Sequence, residues 1–289
     1  MKYAIFDIGS NSVRMMLWDG KTLEKRIRIT GLGKGLNAGK VLDMAAMART
    51  LEAISEFKKY AEEKGAEGYF AYGTAAMRRA ENGKAFAERI VRETGVETEI
   101  IDGEEEAAIG LRGALAGRDG GIVDIGGAST EITVASGGRK IYSYSLDLGT
   151  VTLTDACGQN AAEAERYCAE KVKEYGEIPK AEYYGIGGTA TSLAAIDLGT
   201  EPYDPAQVNG HRIGLKRIGE IAKTLSSMRV EERKKLKGLQ PERADVIANG
   251  AILLRSIMER YGIEEITVSE SDNLEGYALG RFGKKEDKR

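Results

Sequence analysis

Histidine and cysteine are almost missing from this chain of 289 residues: His211 is the only histidine, and Cys157 and Cys168 are the only cysteines. A histidine metal site or a Ser-His-Asp arrangement needs an imidazole among other ligands, so His211 is expected only to pack or to hydrogen-bond. Two cysteines make neither a disulfide framework nor a thiolate metal cluster, and the cytoplasm is the expected compartment. Long apolar runs are missing too. The best of them, Ala248 to Met258, is interrupted by Asn249 and Arg255, and the chain opens on a strand without a basic and apolar leader, so no membrane partner is expected. Nor does one sign of charge dominate. A net charge of −3, with 42% hydrophobic and 30% charged residues, describes a globular chain long enough for two cores. It says only that any anion site is local rather than global; no nucleic-acid partner is expected. Local candidates are Arg78 with Arg79, the run Glu231 to Arg243, and Lys25 with Arg26 and Arg28. A solvated helix face is the favoured reading of such runs, and the C-terminal GKKEDKR reads as a frayed tail.

One pattern occurs twice: AIFDIGSNSVRMMLW from Ala4 to Trp18, and GIVDIGGASTEITVA from Gly121 to Ala135. Each is an apolar strand, Asp-Ile-Gly, a small hydroxyl-bearing turn, and a second strand that folds back as a hairpin. Glycine and serine in such a turn let successive backbone N–H groups converge on an anion, and an aspartate at the strand end can hold a cation or its water. Two such loops facing each other would grip a phosphate and its metal from both sides.

The remaining elements repeat as well. After the first hairpin the patterns predict a strand at Thr22–Thr30, a helix from Asp43, a strand at Gly68–Tyr72, a helix from Asn82, a strand at Val96–Ile101 and a helix from Asp102. After the second they predict a strand at Arg139–Asp147, a helix from Ala161, a strand at Ala181–Ile186, helices entered at Gly187 and Pro241, a strand at Glu265–Ser269 and a closing helix, with extra helix between Pro202 and Leu239. The order β-β-β-α-β-α-β-α, twice, predicts an α/β protein with two mixed sheets. In the helix from Asp43, Met44, Met47, Leu51, Ile54 and Phe57 form the apolar face. GLGKGL at Gly31 to Leu36 has the wrong glycine spacing for a dinucleotide loop and is rejected as one.

DIGSNSVR, GTAAMRRAEN at Gly73 to Asn82, GEEEA at Gly103 to Ala107, DIGGASTE at Asp124 to Glu131, GIGGTATSLAA at Gly185 to Ala195, and LQPERADVIANGAILL at Leu239 to Leu254 resemble, in order, the signature stretches of the exopolyphosphatase and guanosine pentaphosphate phosphatase family. The resemblance implies two actin-like, ribonuclease-H-like domains with an active-site cleft between them, residues 1–107 plus about 271–289 and residues 108–270. It is to the short form without a C-terminal helical domain. It implies magnesium-dependent release of the terminal phosphate from inorganic polyphosphate, alternatively from guanosine pentaphosphate, and a homodimer is expected.

Residue by residue, the resemblance makes Glu106 the water-activating carboxylate, on a helix passing from the first domain toward the second, and Glu131 the second essential acid. Asp7 and Asp124 become candidate ligands of Mg²⁺, directly or through water. Ser10, Asn11 and Ser12 with Gly126, Gly127 and Ser129 become the facing phosphate loops, and Arg78 the arginine on substrate phosphates. Gly187, Gly188 and Thr189 occupy the place that faces a nucleotide base in related folds. Plainer roles compete: acids in the first turn of a helix suit its dipole, and serines satisfy turn backbone. Two departures stand out. Ala128 replaces a third glycine, tolerable if its φ is negative, and Leu274 in SDNLEG replaces an arginine. A sensor with vestigial hydrolysis and a sugar-kinase-type phosphotransferase share the fold; retained Glu106 and Glu131 argue against the first, and the lack of an acceptor-sugar domain against the second.

Overall fold

The computed structural model describes residues 1–283, so the GKKEDKR tail lies, after Gly283, outside the described residues. The chain divides into two compact units, Met1–Ala116 with the segment from Ser271 onward, and Gly117–Glu270.

The first unit runs β1 (Tyr3–Ile8), β2 (Ser12–Trp18), β3 (Thr22–Ile29), α1 (Leu36–Gly39), α2 (Met44–Glu63), β4 (Gly68–Gly73), α3 (Ala75–Arg79), α4 (Gly83–Thr94), β5 (Glu97–Ile100) and α5 (Gly103–Leu115). The second runs β6 (Gly120–Ile125), β7 (Thr130–Ser136), β8 (Arg139–Leu146), α6 (Thr150–Cys157), α7 (Ala161–Lys171), β9 (Tyr183–Ile186), α8 (Gly187–Leu198), α9 (Pro205–Val208), β10 (Arg212–Gly214), α10 (Leu215–Ser227), α11 (Val230–Arg233), α12 (Ile247–Tyr261) and β11 (Glu265–Val268). The last helix, α13 (Asn273–Phe282), returns to the first unit.

The sheets are ordered β3-β2-β1-β4-β5 and β10-β11-β9-β6-β7-β8. Read from β8 to β11, the second has the order of the first, with β10 added at its edge. In each, the first two pairings after the opening strand are antiparallel, β1 with β2 and β2 with β3 or β6 with β7 and β7 with β8, while β4 and β5 or β9 and β11 add in parallel. This is the mixed, ribonuclease-H-like sheet of actin-like domains, and the duplication is one of topology as well as of motif.

Local chemistry places the helix starts. Asp43, Asp102 and Asn160 accept hydrogen bonds from the N–H groups of Ala46, Glu105 and Glu163, satisfying donors at the starts of α2, α5 and α7. Met47, Leu51, Ile54 and Phe57 are buried as the periodicity of α2 predicts, but Met44 is 69% exposed. It is the first residue of the helix, where an apolar stripe has only one turn to lie against. Three short elements, α3, α6 and β10, carry too few residues for a period to show in sequence. The helix expected from Pro241 begins as one 3₁₀ turn, Pro241–Arg243, with the α-helix proper starting at Ile247.

α5 and α13 cross with their backbones in contact. A Cβ added at Gly276 would run into the carbonyl of Ile109, and one at Gly113 into that of Asp272. Helix α5 lies whole within the first unit, so the division between units falls after Ala116 rather than at 107/108.

Candidate active site

Both hairpins turn alike. Gly9 N–H donates to the Ser12 carbonyl at 2.9 Å, and Gly126 N–H to the Ser129 carbonyl at 3.0 Å. The pairing is symmetric about each turn, so Asp7 stands opposite Arg14 on β2, and Asp124 opposite Glu131 on β7. Opposed residues of an antiparallel pair share a face, so this one register position sets the charge of each hairpin.

Each loop is backed by the chain that follows the third strand of its unit. Thr30 and Gly31 N–H groups both donate to the Asn11 carbonyl at 3.0 Å, and Gly33 N–H to the Ser10 carbonyl at 2.7 Å. GLGKGL is thus a brace for the first loop. In the second unit Thr150 N–H donates to the Gly126 carbonyl at 2.9 Å, and Val151 and Thr152 to the Gly127 carbonyl at 2.8 and 3.1 Å, so α6 opens onto the loop. Ser10 and Ser129 are buried and Ser12 half-buried. Asn11 is 7% exposed, and neither polar atom of its side chain has a partner in the protein. A buried amide in that state costs free energy unless a water or ligand meets it. At the matching place in the second loop Ala128 is buried and is not among the residues of positive φ, so its methyl group is accommodated.

In the first hairpin Asp7 is engaged by arginine. Arg14 Nε donates to Asp7 Oδ2 at 3.1 Å and Nη2 to the same oxygen, while Nη1 pairs with Asp272. Lys25 Nζ lies 2.8 Å from Glu275 Oε2 and 3.9 Å from Asp272, and Thr22 donates to Glu275 Oε1 at 2.7 Å. Asp272 also caps α13 through Leu274 N–H. Burial raises the Asp7 carboxyl above its ordinary range against the pull of Arg14. For Asp272 burial pulls the same way, but Arg14 and Lys25 outweigh it and hold the carboxyl below that range. The cation-ligand role expected of Asp7 meets a guanidinium already in place. Sequence reasoning gave Arg14 and Asp272 no role. Arg14 was findable, because a four-residue hairpin turn at Gly9–Ser12 puts it opposite Asp7; Asp272, more than 250 residues away, was not.

Two other predicted residues of the first unit do meet. Arg78 Nη1 lies 2.9 Å from Glu106 Oε2 and also donates to the Ile101 carbonyl at 2.9 Å. The pair joins α3 to the first turn of α5, and Glu106 is 7% exposed. In the second unit Glu131 is 2% exposed, and Ser145, its neighbour on β8, donates to its Oε1 at 2.6 Å.

The Gly187–Thr189 segment opens α8 beside Asp124. Gly187 has φ +74°, and a Cβ there would strike Asp124 Oδ1, so glycine is required twice over. A Cβ on Gly188 would strike the guanidinium of Arg243. Thr189 Oγ1 donates to the Ile125 carbonyl at 2.9 Å, tying α8 to the end of β6. His211 Nε2 lies 2.8 Å from Asp197, the hydrogen-bonding role expected of it. Cys157 and Cys168 are free and buried, and burial pushes the Cys168 thiol up to about 12.

Among the described residues no three or more His, Cys, Asp or Glu side chains form a group able to hold a metal, and no helix is long and apolar enough to cross a membrane. The donor set fits Mg²⁺ only in the manner typical of phosphate-processing sites, with one or two carboxylates and the substrate's oxygens. Asp124 and Glu131, opposed on one face of a hairpin, have that chemistry.

The chain matches the family model described as the Ppx/GppA phosphatase family over residues 14–284. It is 32% identical to exopolyphosphatase 2 of Mycobacterium tuberculosis, over 98% of this chain and 99% of that protein. It is 30% identical to the guanosine-5'-triphosphate,3'-diphosphate pyrophosphatase of Aeromonas hydrophila, over 99% of this chain but 60% of that longer protein. Among solved structures it resembles the type II variant of the Aquifex aeolicus Ppx/GppA phosphatase, with 30% identity, a TM-score of 0.74, and coverage of 98% of this chain and 99% of that one. With motifs, topology and a near full-length match in agreement, this chain belongs to the Ppx/GppA phosphatase family and is a hydrolase.

Proposed function

We propose that the chain releases the terminal phosphate of inorganic polyphosphate by Mg²⁺-assisted attack of an activated water. The observation that carries this reading is the second hairpin: two buried acids, Asp124 and Glu131, directly opposed beside a glycine-rich loop. Like charges so placed repel, and a cation between them relieves the repulsion. Mg²⁺, when bound by Asp124 directly or through water, supplies positive charge for the equatorial oxygens of the transferring phosphoryl group.

The chain's own residues do the rest. Glu106 takes the proton of the attacking water at its carboxylate, and the ion pair from Arg78 to Oε2 fixes the plane of that carboxylate. Arg78 also lends positive charge to the substrate phosphates. Glu131, oriented by Ser145, orders the water or the cation's own waters. The amides of Ser10, Asn11 and Ser12 and of Gly126, Gly127 and Ser129 bind phosphate oxygens, and the unmatched Asn11 amide gains a partner when they do.

Polyphosphate is preferred because the relative matched from end to end is named an exopolyphosphatase, and because no aromatic cluster beside a motif marks a guanine pocket. Tyr183, at the start of β9, is buried and donates its hydroxyl to the Pro179 carbonyl at 2.6 Å. Guanosine pentaphosphate is the second reading, favoured by the match to the Aeromonas enzyme. Phosphate release from long polyphosphate, short polyphosphate and guanosine pentaphosphate, measured side by side, tests the choice. The expected order puts short polyphosphate at least level with long and both above the nucleotide; a higher specificity constant for the nucleotide than for every polyphosphate reverses it. Activity on none, with tight nucleotide binding, would replace hydrolysis by sensing. A cytoplasmic homodimer is part of the same proposal, checked by light scattering and fractionation.

A further inference from the structure

Among the described residues the two sheets end in four edge strands, β3 and β5 in the first unit and β8 and β10 in the second. An edge presents backbone N–H and C=O groups that another strand can pair with, and proteins protect such edges by keeping them short or charged. Three of the four are protected. β10 has three residues and β5 four, with Glu97 and Glu99 of β5 both held by Arg281. β3 is longer but carries Glu24, Lys25, Arg26 and Arg28, of which Arg26 stacks over the Tyr60 ring at 3.4 Å and Arg28 pairs with Glu56. We propose that the fourth edge, β8, is the interface of the homodimer, pairing antiparallel with β8 of a second copy about a two-fold axis at Ser143. This rests on the homodimer of the proposed function and names the surface that makes it.

β8 is unlike the strand it duplicates. It spans eight residues, Arg139–Leu146, is bonded to β7 on one side and stands last in its sheet. From Ile141 to Leu146 it has no charge, glycine or proline, a run that favours strand pairing. All its residues but Tyr142, Ser145 and Leu146 are exposed, whereas β3 is half-buried from Glu24 onward. Ile141, which the register with β7 skips, is 54% exposed and Tyr144 37%. The strand is also complementary to itself. It begins with Arg139 and Lys140 and is followed by Asp147, so antiparallel pairing about Ser143 sets Tyr142 against Tyr144 and the basic start of each copy against the acidic end of the other. Lys140 and Asp147 already have contacts within the chain, and the charge match adds to these. A parallel pairing would set like charges together. Two six-stranded sheets then join edge to edge, and because both copies use the same edge the contact closes at two chains.

The test is light scattering after size exclusion on the full chain, over a dilution series. Wild type should have the mass of two chains. Ile141→Lys, which puts an exposed charge into the uncharged run, should weaken the dimer by about tenfold or more and leave phosphate release per chain within about twofold. Arg139→Asp and Asp147→Arg should each weaken the dimer, and the two together, which exchange the charged ends, should restore it. A double variant no better than the singles overturns the pairing about Ser143. A dimer that Ile141→Lys and both single reversals leave intact uses another face and overturns this assignment alone. Wild type with the mass of one chain at every concentration overturns the assignment together with the homodimer, and phosphate release measured on the same samples shows that the hydrolase reading stands apart from both.

Discussion

The hairpins at Gly9–Ser12 and Gly126–Ser129 are two solutions built on one backbone. Both close with the same turn hydrogen bond, and both are braced through loop carbonyls by the segment after the third strand. Opposite the aspartate, one carries arginine and the other glutamate. In the first hairpin the aspartate pairs with the arginine across from it; in the second the residue across from the aspartate is a buried acid bonded to Ser145. The comparison teaches that a duplicated fold need not duplicate its chemistry: register supplies two equivalent positions, and one residue at each sets the sign of charge that faces the aspartate.

The sharpest way to break the comparison is to remove the acid that makes the second hairpin different. Glu131→Gln, like Glu106→Gln, keeps shape and most hydrogen bonding but loses the charge, and turnover should fall by about 10² to 10⁴ with little change in polyphosphate binding. Near wild-type turnover in steady-state phosphate release would take that residue out of the mechanism. In the first hairpin the loss should appear in stability instead. Arg14→Gln leaves Asp7 buried without its counter-charge and Asp272 with Lys25 alone, and urea denaturation should show a loss of about 3 to 5 kcal/mol.

Smaller effects separate the two loops. Arg78→Ala should raise the KM for polyphosphate by about tenfold and flatten its dependence on salt; unchanged affinity and salt slope would make Arg78 a positioning partner of Glu106 only. Asn11→Ala gives the first loop the residue of the second. Because the Asn11 side chain is buried without partners in the protein, the variant should hold or gain about 1 kcal/mol of stability by calorimetry while binding substrate less well.

The smallest effect is on pH. The Asp272 carboxyl is held below its ordinary range in the fold, so its contribution to stability is present above its unfolded value, near pH 4, and fades as the pH falls through the folded value. Asp272→Asn should flatten that acid limb in pH-dependent denaturation. Asp7 is shifted the other way, so its linkage has the opposite sign: stability is favoured at low pH and fades as the pH rises through its folded value. An acid limb unchanged in Asp272→Asn would show that the Arg14 network does not set it.

Much of this was legible because local patterns report local structure. Strand alternation, Asp-Ile-Gly turns and the capping residues Asp43, Asp102 and Asn160 predicted most elements, since cap bonds and hairpin turns join residues a few positions apart. What stayed hidden was short or distant. Helices α3 and α6 are under three turns long, and Met44 fits the period of α2 but sits at its first residue. Arg78 was read as a phosphate ligand without its contact to Glu106, and Thr189 as a nucleotide contact without its bond to the Ile125 carbonyl.

Spacing along the chain specified the duplication, the α/β order, the two glycine-and-serine hairpin turns and the family. The sequence also contained the Arg14/Glu131 asymmetry, as one letter in each copy. Only the tertiary structure decided what that letter does. Arg14 is bound to Asp272, at the start of the helix with which the chain returns to the first unit, and Glu131 meets Ser145 from the next strand. A charge's role depends on what burial brings within a few ångströms of it, and sequence distance carries no record of that.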